Sequence, residues 1–196
     1  MRILAIADKE DAVLCSRIAN GAQRSPDLIV SCGDLRPGYL DFVATAANAP
    51  LLYVRGNHDT DERGYASMGG TALGGCIVTV KGIRIAGLDG SLDYRMGIVG
   101  FSEAQMRRKA LMLAMHARLT GGLDVLVTHA PPLGYGDLDD RAHRGFACFN
   151  WLLDTLRPKI LLHGHTHLDY GLVARELAHP SGTRIVNACG HWEGEL

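Results

Sequence analysis

The chain has 196 residues and a formal net charge of -1, with 47% hydrophobic and 21% charged residues. That length buries a sizeable core, so a single domain over residues 1–196 is expected. The near-neutral balance argues against a stable nucleic-acid complex, which usually needs a basic stripe, and no apolar run reaches the roughly 18 residues of a membrane span.

The first predicted element is a strand over residues 3–7, in place of the basic-then-apolar start of an export signal. The five cysteines are scattered singly at Cys15, Cys32, Cys76, Cys148 and Cys189, with no CxxC pair. That pattern fits reduced thiols in a cytoplasmic protein better than a disulfide frame or a thiolate zinc site. A helix over 12–22, a strand over 28–32, a helix over 39–47 and a strand over 51–54 follow, then strands over 77–80 and 83–88. Over 103–119, Met106, Ala110, Leu113 and Ala117 recur at spacings of three and four, an apolar helix face. Ser102 is placed to cap that helix and Gln105 to complete a capping box. A strand over 125–128, a helix over 147–156 and a strand over 160–163 come next, with further strands at 172–175 and 184–188. No repeat or linker interrupts the alternation, which predicts packed sheets flanked by helices.

Hard ligands fall at the ends of five of these strands. Asp8 follows the first, Gly33-Asp34 the second and Gly56-Asn57-His58-Asp59 the third; His129 and Gly164-His165-Thr166-His167 follow two later ones. Ligands of α/β sheets bind beyond the carboxyl ends of strands, so these junctions can converge on one site. Each member has an ordinary reading as a turn or cap residue; the joint occurrence at five junctions does not. Imidazole suits zinc, iron or nickel, whereas carboxylate and amide oxygens also suit manganese. A mixed set can hold two divalent ions that activate water and offset charge on a phosphoryl group.

The order Asp, GD, GNHD, His, GHxH resembles the calcineurin-like metallophosphoesterase superfamily, and its motifs run from Asp8 to His167. The resemblance implies a four-layer α/β/β/α sandwich of two mixed β-sheets flanked by helices, and two divalent metal ions, with Mn2+ preferred and Fe, Zn or Ni as alternatives. It implies that Asp8 and His167 hold one metal, that Asp34 bridges both, and that Asn57, His129 and His165 hold the other. His58 corresponds to the histidine that stabilises the transition state or protonates the leaving oxygen, with Asp59 orienting its ring. The family's first motif, Asp-x-His, reads Asp8-Lys9-Glu10 here. Either Glu10 ligates through its carboxylate, or the first site is weak. The segment Gly33-Asp34-Leu35-Arg36-Pro37-Gly38 lacks the GDxxDRG pattern of the phosphoprotein phosphatases. The stretch from Thr128 to Gly134 and the GHTH motif are similar to the small metallophosphoesterase-domain phosphodiesterases.

The implied activity is hydrolysis of a small phosphate ester, a phosphodiester in preference to a monoester. The alternative is a catalytically silent scaffold of the same fold, or a nucleotide sensor. Arg144 and His143, with Arg141, are candidates to hold phosphate oxygens, a solvated loop being the plainer reading. The segment from Gly90 to Arg95 can line the substrate side, and His191 and Trp192 read as packing or tail residues.

Overall fold

The computed structural model describes residues 1–94, 99–171 and 173–196. In chain order the elements are β1 (Arg2–Ala7), α1 (Ala12–Ala19), β2 (Leu28–Ser31), α2 (Pro37–Ala47), β3 (Leu51–Tyr53), α3 (Glu62–Ser67), β4 (Thr71–Ala72), β5 (Ile77–Val80) and β6 (Ile83–Leu88). Then come β7 (Ser91–Leu92), β8 (Gly100–Phe101), α4 (Glu103–Thr120), β9 (Val125–Thr128), α5 (Ala147–Leu156), β10 (Ile160–His163), β11 (Glu176–Ala178), β12 (Arg184–Asn187) and β13 (Gly190–Glu195).

Because side chains alternate along a strand, a strand buried on both faces serves two cores. In β1, Ile3, Ala5 and Ala7 enter one core while Leu4 and Ile6 enter another. β10 divides likewise, with Ile160 and Leu162 in the core that β1 shares and Leu161 in a third. The shared core lies between a five-stranded sheet, β13-β1-β2-β3-β4, and a six-stranded sheet, β11-β12-β10-β9-β6-β5. α1, α2 and α3 cover the outer face of the first sheet; α4 and α5 cover that of the second. Helix, sheet, sheet, helix is the four-layer order expected. Both sheets are mixed: β1, β2, β3 and β4 run parallel and β13 antiparallel, while β6, β9, β10 and β12 run parallel and β5 and β11 antiparallel. The carboxyl ends of β1, β2 and β3 therefore share one edge of their sheet, and those of β9 and β10 one edge of theirs.

Several expectations shift at the ends. α1 stops at Ala19, where Asn20 caps it and Gly21 turns away at φ 67°. α2 starts at Pro37, whose missing N–H costs nothing in a first turn. The capping box of Ser102 and Gln105 forms as expected. The strand expected over 172–175 lies instead at Glu176–Ala178. Leu172 is outside the described residues, and the Arg175 guanidinium donates to the carbonyls of Asn187 and His191 at 3.2 and 2.9 Å. His191 and Trp192 belong to a strand, β13, and Trp192 packs between the sheets. Among the described residues, no helix is long and apolar enough to cross a membrane.

Candidate metal centre

At the edge where the parallel strands end, the backbone takes left-handed turns that side chains rarely adopt. Asp8, Asp34 and His165 have φ of 63°, 57° and 69°. For non-glycine residues such turns cost on the order of 1 kcal/mol or more each, and here they aim three polar side chains at one point. Glycine is required where loops touch. A Cβ on Gly56 would lie 2.0 Å from the Asp34 carboxylate, and one on Gly164 would lie 2.8 Å from that of Asp8.

Asp34, Asn57, His129 and His165 converge. The Nδ1–H of His129 donates to the Cys32 carbonyl at 2.8 Å, leaving Nε2 pointed inward. Around that nitrogen stand Asn57 Oδ1 at 3.0 Å, His165 Nδ1 at 3.2 Å and Asp34 Oδ2 at 3.4 Å. The other ring nitrogen of His165 donates to the Ala142 carbonyl at 2.8 Å, so its Nδ1 is the free acceptor. Both imidazoles are anchored through backbone carbonyls, as metal-binding histidines usually are.

A proton on His129 Nε2 would face three acceptors, the arrangement of a candidate cation site. Burial drives the His129 pKa down, but the Asp34 and Asp8 carboxylates outweigh it and hold the value up at about 9. Burial likewise pushes Asp34 up, and is outweighed by His129 and by the His58 N–H, leaving about 2. Burial, aided by the His129 charge, takes His165 down to about 3, keeping it neutral. A divalent ion replacing that proton would find a carboxylate, an amide oxygen and two imidazoles. Those four residues fit it.

The other half of the site is thinner. Asp8 Oδ1 accepts the His165 N–H at 2.9 Å, but its Oδ2 is buried with no hydrogen-bond partner. Burial raises the Asp8 pKa to about 6. Ligand atoms of Asp8, Asp34 and His129 all lie within 4.8 Å of one another, so the Asp8 carboxylate belongs to the same cluster. His167 lines the same pocket, its ring stacked on Tyr170 with centroids 4.7 Å apart. Glu10 does not join them. Its two oxygens accept Arg36 Nε and Nη2 at 2.7 and 2.6 Å, a bidentate pair that draws the carboxylate aside. Lys9 is held by Asp169 at 2.7 Å, not by the pocket.

His58 is exposed at the pocket wall; its backbone N–H donates to Asp34 Oδ1 at 2.9 Å, and among the described residues its ring has no hydrogen-bond partner. The expectation that Asp59 orients this ring is not met. The buried Asp59 carboxylate instead accepts the Gly56 and Asp34 N–H groups at 2.7 and 2.8 Å, tying two ligand loops together.

The pocket holds about 320 Å³ and is lined by Asp8, Asp34, Asn57, His165 and His167, together with His58, His143, Tyr94 and Tyr170; His129 is fully buried and does not line it. His143 stands against His165, with centroids 5.4 Å apart, and is paired with Asp140 at 2.9 Å. Arg144 and Arg141 are exposed and do not line the pocket. Arg95 is outside the described residues. Sequence reasoning missed Tyr170, and reached Tyr94 only as part of the segment from Gly90 to Arg95; the Asn57 amide donates to the Tyr94 hydroxyl at 3.5 Å.

Comparison with known proteins places these residues in context. A family model described as calcineurin-like phosphoesterase matches residues 1–169. The chain is 32% identical over 101 residues to metallophosphoesterase domain-containing protein 1 of Homo sapiens, covering 50% of this chain and 29% of that protein. It is 35% identical over 74 residues to UPF0046 protein T07D4.2 of Caenorhabditis elegans, covering 36% of this chain and 17% of that one. The match thus spans under a third of either relative's length. One solved crystal structure shares the fold at TM-score 0.71 with 15% identity, covering 96% of this chain and 90% of the other.

Proposed function

The chain belongs to the calcineurin-like phosphoesterase family, a family of metal-dependent phosphoester hydrolases, and from that premise we propose that it hydrolyses small phosphodiesters at a dinuclear centre that prefers Mn2+. The observation that carries this reading is the single inward nitrogen of His129, surrounded by Asn57, His165 and Asp34 at 3.0–3.4 Å beside the His58 ring, which has no hydrogen-bond partner among the described residues. Asp34, Asn57, His129 and His165 would hold one ion, and Asp8 and His167, sharing Asp34, the other. The mixture of oxygen and imidazole donors admits manganese, with iron, zinc or nickel as alternatives. Bound ions would polarise the phosphoryl oxygens and lower the pKa of the attacking water.

The remaining work falls to this chain's own side chains. As the water oxygen bonds to phosphorus and the ester P–O bond breaks, the leaving oxygen needs a proton. His58, with an uncommitted ring at the pocket wall, can deliver one from a ring N–H. Tyr94 and Tyr170 give the small pocket aromatic sides, which favours an esterified phosphate over the free ion. The withdrawal of Glu10 favours a second reading, a binding protein or scaffold that holds a metal without turnover.

Hydrolysis of bis-p-nitrophenyl phosphate by metal-stripped protein, titrated with Mn2+, separates the two. The expected result is diester turnover that needs the metal, exceeds that of p-nitrophenyl phosphate, and falls about 10²–10⁴-fold in His58→Ala. Mn2+ binding in that variant should match the unaltered chain. Metal binding without turnover at any Mn2+ concentration would favour the second reading.

A further inference from the structure

A larger cavity, of about 870 Å³, lies beside the metal pocket, walled by α2, α3 and the loops before them. Each of three loops contributes to both cavities: Asp8 and Glu10, Asp34 and Arg36, and His58 and Asp61. Residues two or three apart in sequence are separated by no more than roughly 7–11 Å, so the cavity borders the pocket along three separate strand-end loops. One of the three is the loop of His58. On the proposed hydrolysis, that is the side on which the ester oxygen departs.

The cavity's chemistry is unlike the pocket's. Its apolar lining comes from Pro37, Tyr39, Phe42 and Met68, and Phe42 is 44% exposed. Its charged lining is Glu10, Asp41 and Asp61 against Arg36 alone, a net of -2, and Arg36 is already bound to Glu10. Such a surface repels a further phosphate and rewards an apolar chain, because burying carbon against carbon is favourable without any charge partner.

We propose that this cavity is the subsite for the leaving group of the substrate, and that it selects phosphodiesters whose departing alcohol is an extended apolar group. Phe42 is the determinant of that selection. The inference rests on the hydrolytic reading of the metal pocket, and it excludes nucleotides with additional phosphates on the departing side.

Alkylphosphonates test it without turnover, since the phosphonate occupies the metal pocket while the chain probes the cavity. Calorimetric titration of the Mn2+-loaded protein with methyl-, butyl- and octylphosphonate should show affinity rising about two- to fourfold per added methylene before levelling off. In Phe42→Asp, methylphosphonate should bind as before while the gain with chain length disappears; Phe42→Ser should lie between. Retained methylphosphonate binding also reports that the variants are folded. If methylphosphonate binds but affinity is flat with chain length, the subsite assignment falls and the hydrolytic reading stands. If methylphosphonate fails to bind the unaltered protein, the pocket reading falls first.

Discussion

The two halves of the candidate metal centre are built in different ways. The half around His129 draws on the half-buried Asp34 and Asn57 after β2 and β3 and the buried His129 and His165 after β9 and β10, and each of its imidazoles is fixed by a backbone carbonyl. The half around Asp8 has one buried carboxylate oxygen that is unpartnered, but its neighbours are engaged by surface side chains: Glu10 by Arg36, Lys9 by Asp169, the half-buried His167 against Tyr170. Backbone anchors survive changes in side-chain rotamer; exposed ion pairs contribute little and rearrange readily. The first half is thus preorganised for an ion, and the second depends on groups that have other engagements.

Breaking the preorganised half should have the largest effect. In His129→Gln, Asp34 and Asp8 lose the charge that offsets their burial, which destabilises the metal-free protein by about 3–5 kcal/mol. Mn2+ affinity should fall more than about a hundredfold, beyond the loss usual for an outer residue. The pH dependence sharpens the test. A histidine raised to about 9 contributes stability that is fully present below its unfolded value of 6.5 and is lost as pH rises through 9. Asp8, raised to about 6, makes most of its change below that window. The melting temperature of metal-stripped protein should therefore decline between pH 6.5 and 9, and this decline should vanish in His129→Gln. An unaltered decline in the variant would place the proton elsewhere.

The next effect probes what fastens the loops of the first half. Asp59→Ala leaves the Gly56 and Asp34 N–H groups without their acceptor, at about 1–3 kcal/mol for each one left unsatisfied. As Asp34 is a proposed ligand and Gly56 precedes another, Mn2+ affinity should fall about 10–100-fold. His58→Ala, by contrast, should leave that affinity unchanged. If instead Asp59→Ala spares metal binding and copies the kinetic defect of His58→Ala, Asp59 acts through the His58 ring after all.

The same contrast separates what was legible in the sequence from what was not. The residues around His129 could be read as candidates because each follows a strand whose apolar run is plain, as in Val125–Thr128 before His129 and Ile160–His163 before His165. β13 escaped because GHWEGE carries little apolar signal, and its strand state depends on pairing with β1, whose other edge holds β2. The fate of Glu10 escaped for a related reason. Its position suggests a ligand, but its partner Arg36 is 26 residues away, and no local pattern announces a side-chain contact of that range. The carboxylate of Asp59 was assigned to the adjacent ring because sequence proximity is visible and the backbone N–H groups it accepts are not.

Repairing the weaker half is the subtlest change. Glu10→His returns an imidazole to the position where the family's first motif has one, and gives up only a pair whose Arg36 side chain is 83% exposed. A surface pair of this kind contributes about 0–1 kcal/mol, so the melting temperature of the metal-stripped variant should barely move. Calorimetric Mn2+ titration of the unaltered chain should show one tight ion and one weaker, and Glu10→His should tighten the weaker by at least about tenfold. Arg36→Ala asks whether the guanidinium or the chemistry of residue 10 sets the asymmetry. If release of Glu10 alone tightens the weaker ion, the carboxylate is a competent ligand that Arg36 withholds. If only the imidazole does so, the substitution itself depleted the site. Two equal affinities in the unaltered chain would mean that Asp8, Asp34 and His167 suffice for the second ion, and that the open half is as well prepared as the buried one.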